Sequence, residues 1–167
     1  MAMVFLLIGT MESGRIKVKF LEDFGDKNSG DTDRLDDWKA EKLVEEGIAK
    51  VDYEKSLIEL AEESEKIINE ERMRNSLTEL DQGIYGKMKF YLDMIDKDPN
   101  VNLFSNESLA RKYSKVEKNY KMIKELRVQK ILKAAREDRD IFDDLTRSEK
   151  QLYNGISRLV REWLNKK

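Results

Sequence analysis

Between Tyr53 and Lys167 a single proline, Pro99, interrupts a chain in which apolar residues recur at three- and four-residue steps, the spacing of one face of a helix. Leu57, Leu60, Ala61, Ile67 and Ile68 mark one amphipathic helix, and Leu80, Ile84, Met88, Tyr91 and Ile95 mark the next. The run 96–102 breaks the pattern, and Ser105 is placed to cap a long helix carrying Leu109, Tyr113, Val116, Tyr120, Ile123 and Leu126. Thr146-Arg147-Ser148-Glu149 is a capping box, which opens a last helix with Leu152, Ile156, Leu159, Val160 and Trp163 on one face. The spacing predicts a mainly helical bundle domain over residues 53–167.

Residues 1–52 follow a different period. Val4 to Ile8 is an apolar run that predicts a buried strand, followed by a loop over 9–14. In residues 15–21 Ile16, Val18 and Phe20 alternate with Arg15, Lys17 and Lys19, the pattern of a half-buried strand. Residues 26–33 read as a polar loop. Asp36 is placed to cap a short helix with Trp38, Leu43 and Val44 inward, Gly47 closes it, and 48–51 returns as a strand. The expected fold class is α+β: a small N-terminal α+β domain, 1–52, followed by the helical domain, 53–167. A unit of some fifty residues buries little core alone, whereas the helical part is expected to fold without it. Val4 to Ile8 is too short to cross a membrane and has no basic residue before it, so a cytoplasmic chain with no membrane partner is expected.

The chain contains neither cysteine nor histidine. Disulfides, thiolate metal sites, cysteine nucleophiles and histidine-dependent triads are therefore excluded. No catalytic residue, metal ligand or cofactor is expected. Residues 96–107 imitate a calcium loop, with Asp96, Asp98, Asn100 and Glu107 at ligand positions, but Val101 stands where glycine is required and Pro99 at the fourth position. They read instead as a connector. Gly83 to Lys87 does not have the spacing of a phosphate-binding loop. The carboxylate pairs Glu59/Glu63 and Glu41/Glu45 read as solvated helix faces.

Net charge is −2, yet charge is uneven: residues 22–71 hold eighteen acidic and seven basic residues, and 105–136 hold ten basic and three acidic. Lys112, Lys115, Lys118, Lys121, Lys124, Arg127, Lys130, Lys133 and Arg136 recur every three residues. On a 3.6-residue helix the row slips about 60° with each three-residue step, so the cations wind around it and form no flat patch. They are expected to meet acidic surfaces, the chain's own or a partner's, with contact to nucleic acid as the alternative.

Arg127-Val128-Gln129-Lys130-Ile131-Leu132-Lys133-Ala134-Ala135, followed by Leu145-Thr146-Arg147-Ser148-Glu149-Lys150-Gln151-Leu152-Tyr153, resembles the large helical domain of GINS subunits. Leu77-Thr78-Glu79-Leu80 with Ile84-Tyr85 resembles that domain's opening, although Asp81 and Ile84 stand where the family often has a proline and a second aromatic. Residues 16–24 and 38–49 are similar to the family's small α+β domain, placed first as in one of the two GINS classes, in the compact archaeal style. The resemblance implies a non-enzymatic subunit of a hetero-tetramer with a sister GINS subunit. It further implies association with the replicative MCM helicase and a RecJ/Cdc45-like protein in DNA replication. Tyr85, Arg127, Lys130, Ile131, Leu152, Tyr153 and Trp163 are, by the same resemblance, expected at the subunit interface. Two readings from other classes stand beside it: a nucleic-acid-binding module using the basic helix, and a carboxylate-dependent helical enzyme.

Overall fold

The computed structural model describes residues 14–164, and the strand expected at 4–8 lies outside them. The observed class is the expected one, a small antiparallel sheet followed by a mostly helical region. β1 (Arg15–Phe20) is the central strand of three, flanked by β2 (Thr32–Asp36) and β3 (Ala49–Lys50), both antiparallel to it. Ile16, Val18 and Phe20 are buried and the residues between them exposed, as the alternation predicts.

β2 corrects the sequence reading, which gave Thr32 and Asp33 to a loop. Its sequence Thr-Asp-Arg-Leu-Asp offers one apolar residue, because an edge strand with both faces half exposed needs no alternation. α1 (Asp37–Glu45) follows at once, with Ala40 and Leu43 buried. Trp38 does not turn inward as expected but stands 60 % exposed. Five residues on a helix span roughly 140° of rotation, so Trp38 and Leu43 cannot share one face. Asp36 occupies the N-cap position but its side chain makes no capping bond. Gly47, at φ +73°, ends the helix: its N–H donates to Val44 O and that of Ile48 to Leu43 O, the paired bonds of a left-handed glycine cap.

α2 (Tyr53–Met73), α3 (Ile84–Lys97) and α4 (Glu107–Arg136) form the body of the molecule. Ion pairs from Lys112 to Glu54 and from Arg127 to Glu71 show α2 and α4 running in the same direction. Bonds from Tyr53 to Asp98 and from Lys87 to Glu63 show α3 antiparallel to α2. The cap of α4 is Asn106, whose side chain accepts from Leu109 N at 3.0 Å; the expected Ser105 instead turns its hydroxyl to Asn102 O. A 3₁₀ turn, η1 (Phe142–Asp144), precedes α5 (Arg147–Trp163), whose Thr146–Glu149 capping box is present as read.

One apolar cluster runs from the sheet and α1 through α2, α3 and α4, joining Ile16, Val18, Phe20 and Leu43 to Leu57, Leu60, Met88 and Ile123. The boundary expected at residue 52 is thus crossed by continuous packing. Gly14 shows how close that packing is: a Cβ there would lie 2.5 Å from the Lys87 backbone nitrogen, so only glycine admits the start of β1 against α3. A second, smaller cluster of Leu77, Ile131, Ala134, Ala135, Leu145 and Tyr153 seats α5 on the end of α4. Among the described residues no helix is long and apolar enough to cross a membrane.

Candidate interaction surface on α5

Residues on α5 repeat every roughly 100°, which sorts them into faces. Glu149, Tyr153 and Ser157 are buried against the rest of the chain. Leu152, Ile156, Leu159, Val160 and Trp163 form a second stripe, rotated roughly 80° from the first. This stripe is the apolar one, and much of it faces outward: Leu152 is 41 %, Leu159 61 % and Trp163 84 % exposed. Leu132 on α4 and Phe142 on η1 are further exposed apolar groups. A groove of about 200 Å³ opens beside Leu152, lined by Tyr85, Tyr120, Lys124, Val128 and Ile131.

What fixes this helix is a polar network under its first turn. Arg127 of α4 is fully buried yet projects into that turn. Its Nε donates to Glu149 Oε1 at 2.6 Å and its Nη2 to Glu149 Oε2 at 2.8 Å. The remaining donors reach Glu71 of α2, Thr78 O at 2.8 Å and Asp144 O at 3.0 Å. Lys130, one turn on, donates to Glu71 and to the carbonyls of Glu71 and Ser76. Tyr85 of α3 donates to Glu149 Oε1 at 2.8 Å, and Thr146 N to Glu149 Oε2 at 2.9 Å. Four helices and the connector 74–83 therefore meet at two carboxylates and two cations, with the charges balanced.

Burial opposes ionisation of Glu71, but hydrogen bonds from Lys130 and Thr78 outweigh it and hold the carboxyl below its ordinary range. Glu149 is likewise lowered: burial raises it, and its bonds with Arg127 more than compensate. Burial also works against the Arg127 charge, yet Glu149 raises its pKa. Tyr85 is pushed up by burial and then by Glu149. These shifts move each group away from neutrality of pH, the opposite of what an acid or base in turnover needs. The network fixes positions.

Of the residues expected at a subunit interface, Tyr85, Arg127, Ile131 and Tyr153 lie inside the chain's own fold, and Lys130 is mostly covered. Tyr153 seals the end of α4 by donating to Arg139 O at 2.7 Å. Only Leu152 and Trp163 are open to a partner. Glu71 has no sequence signal of its own, and Glu149 is legible only as the capping-box glutamate, not as the partner of Arg127. A signal existed for Arg127, since it falls in the four-residue row of Ile123 and Ile131, where a solvated cation has no place.

The three-residue row of cations is largely engaged within the chain. Lys112 pairs with Glu54, Lys115 with Glu65 and Lys121 with Glu117, and Lys124 sits over the Tyr120 ring. The residues that imitate a calcium loop are also occupied: Asp96 accepts from Tyr113, Asp98 from Tyr53 and Asn100, and Glu107 pairs with Arg111. Among the described residues no group of acidic side chains could hold a metal ion. No protein-family model matches the chain, and no curated protein matches it.

Proposed function

We propose that this chain is a non-enzymatic subunit of a hetero-oligomer of the GINS kind, which docks a related chain through α5. The observation that carries this reading is the outward apolar stripe of α5, Leu152, Leu159 and Trp163, on a helix already held by a different face. A helix held by its polar and tyrosine side has no internal need for a second, apolar side, and exposed contiguous apolar surface is a property of interaction sites.

The residues behind the GINS resemblance support it in another way. Those of its helical part are spread over 77–153 in the sequence, yet many of them converge in space. Leu77, Ile131, Ala134, Ala135, Leu145 and Tyr153 make one apolar cluster, and Thr78, Tyr85, Arg127, Lys130, Thr146 and Glu149 make the polar network beside it. A weak motif gains weight when its members build one physical unit. Engagement of Lys112, Lys115 and Lys121 by the chain's own carboxylates favours the scaffold over the nucleic-acid reading of α4. The MCM helicase and a RecJ/Cdc45-like protein are the further partners that the resemblance implies.

The test is co-expression with the sister GINS subunit of the same cell, followed by light scattering of the purified material. We expect a hetero-oligomer that Leu159→Glu/Trp163→Glu reduces to separate chains while its circular dichroism stays unchanged. A chain that remains monomeric with the sister subunit present, or a double variant that assembles normally, overturns the reading.

A further inference from the structure

The exposed side of the sheet lines a groove of about 470 Å³ whose other wall is the start of α2 and the middle of α3. Since Ile16, Val18 and Phe20 turn inward, Arg15, Lys17 and Lys19 emerge together on this side. The register places Arg34 directly opposite Lys17 and Lys50 directly opposite Lys19. Lys55 and Lys87 add two more cations, against the carboxylates of Asp52 and Glu59. Arg15 pairs with Asp36 and Lys87 with Glu63, whereas Lys17, Lys19, Arg34, Lys50 and Lys55 have no ion pair among the described residues.

Like charges directly opposite each other in an antiparallel pair destabilise it. Several cations elsewhere are matched with the chain's own acids, as Lys97 with Glu41 and Lys115 with Glu65. In a chain of net charge −2 the groove gathers in one place five cations without an ion pair among the described residues. We propose that it binds an acidic, extended segment of a partner protein. The occupant is polypeptide for three reasons. Tyr91, the one aromatic residue of the lining, is 2 % exposed, so no ring is presented for bases to stack on. Asp52 and Glu59 repel a phosphate at every step of a nucleic-acid backbone, whereas a peptide can set neutral residues beside them. Alternate residues of an extended peptide also repeat at the spacing of Lys17 and Lys19, themselves alternate residues of a strand.

This groove shares no lining residue with the α5 surface, and the proposal stands independently of that one. It is tested with the full chain by fluorescence anisotropy, using a short labelled peptide of alternating Glu and Ser and a single-stranded oligonucleotide of equal charge. The peptide should bind in a salt-dependent manner, and Lys17→Gln/Lys19→Gln/Arg34→Gln should weaken it by about tenfold or more. Lys17→Glu should both lose the peptide and melt at a higher temperature, because it replaces a repulsive cross-strand pair with an attractive one. No peptide binding by the wild-type chain, equal binding by the folded triple variant, or tighter binding of the oligonucleotide than of the peptide would overturn the proposal.

Discussion

Arg127 and Glu149 meet in a two-pronged ion pair inside the protein, at 2.6 and 2.8 Å, with neither side chain reaching solvent to more than a small extent. The guanidinium fork and the carboxylate are both planar, and this match fixes angle as well as distance. Glu149 also caps its own helix through Thr146. The ion pair therefore sets the direction in which α5 leaves α4, and with it the direction in which Leu159 and Trp163 point.

Arg127→Ala leaves Glu149 as a buried charge without its main partner and takes one of two cations from Glu71, which keeps Lys130. Breaking a buried pair in this way costs about 3–5 kcal/mol. At 2–4 °C per kcal/mol for a chain of this size, the melting temperature should fall by roughly 10 °C or more. Thermal denaturation followed by circular dichroism measures it; a change within about 2 °C would show that the network contributes no net stability.

Acid should undo the same network. Glu71 and Glu149 have folded-state values below their ordinary 4.5. The stability they contribute is therefore complete above that value and lost as pH falls below it, through the lowered folded-state values. Urea midpoints should hold steady from neutral pH to about pH 5 and decline below it. Glu149→Gln should flatten part of that decline, and an unchanged acid limb in this variant would contradict the assignment.

Two glycines should respond to alanine with opposite signs. An added Cβ at Gly155, in the middle of α5, meets nothing within 4 Å, so Gly155→Ala should stabilise by about 0.5–1 kcal/mol through helix propensity. Gly14→Ala drives a methyl into the α3 backbone at Lys87 and should destabilise by about 1–3 kcal/mol. Chemical denaturation of both variants gives the two signs directly.

Removing residues 1–52 uncovers Leu57, Leu60, Tyr91 and Met94, which share the cluster with Ile16, Val18 and Phe20. From periodicity alone the helices are expected to fold without the sheet. The shared cluster leads instead to a helical but weakened fragment, with a lower and broader melt than the full chain. Equal melting temperatures would show that the sheet adds nothing to the helices' stability.

The elements that could be read from sequence are those whose burial imposes a period. Ile16, Val18 and Phe20 disclose β1, the three- and four-residue steps disclose α2 to α4 because each has a strip facing the core, and α5 is disclosed by its capping box and its largely outward apolar stripe. β2 has no legible period because Leu35 is its one apolar residue, and Trp38 lies roughly 140° around α1 from the buried Leu43 and so faces out. The candidate site was half legible. The apolar stripe of α5 was named residue by residue, but periodicity cannot say whether such a stripe turns to the chain's own core or away from it. That choice was made by Arg127 and Glu149, which look like surface charges in a chain that is 40 % charged. The basic sheet face is half legible for a related reason: the alternation puts Arg15, Lys17 and Lys19 on one side, but Arg34 and Lys50 join them only through strand pairing.

With one side of α5 committed inward and a second apolar, a single strip of the helix remains uncommitted. Gln151, Asn154, Arg158 and Glu162 fall on it, all exposed. Asn154 or Arg158 is consequently the position at which a fluorophore or a cross-linker can be attached without touching either the ion pair or the outward stripe. A label there would report the approach of a second chain from beside the contact, leaving both the fold and the encounter as they are.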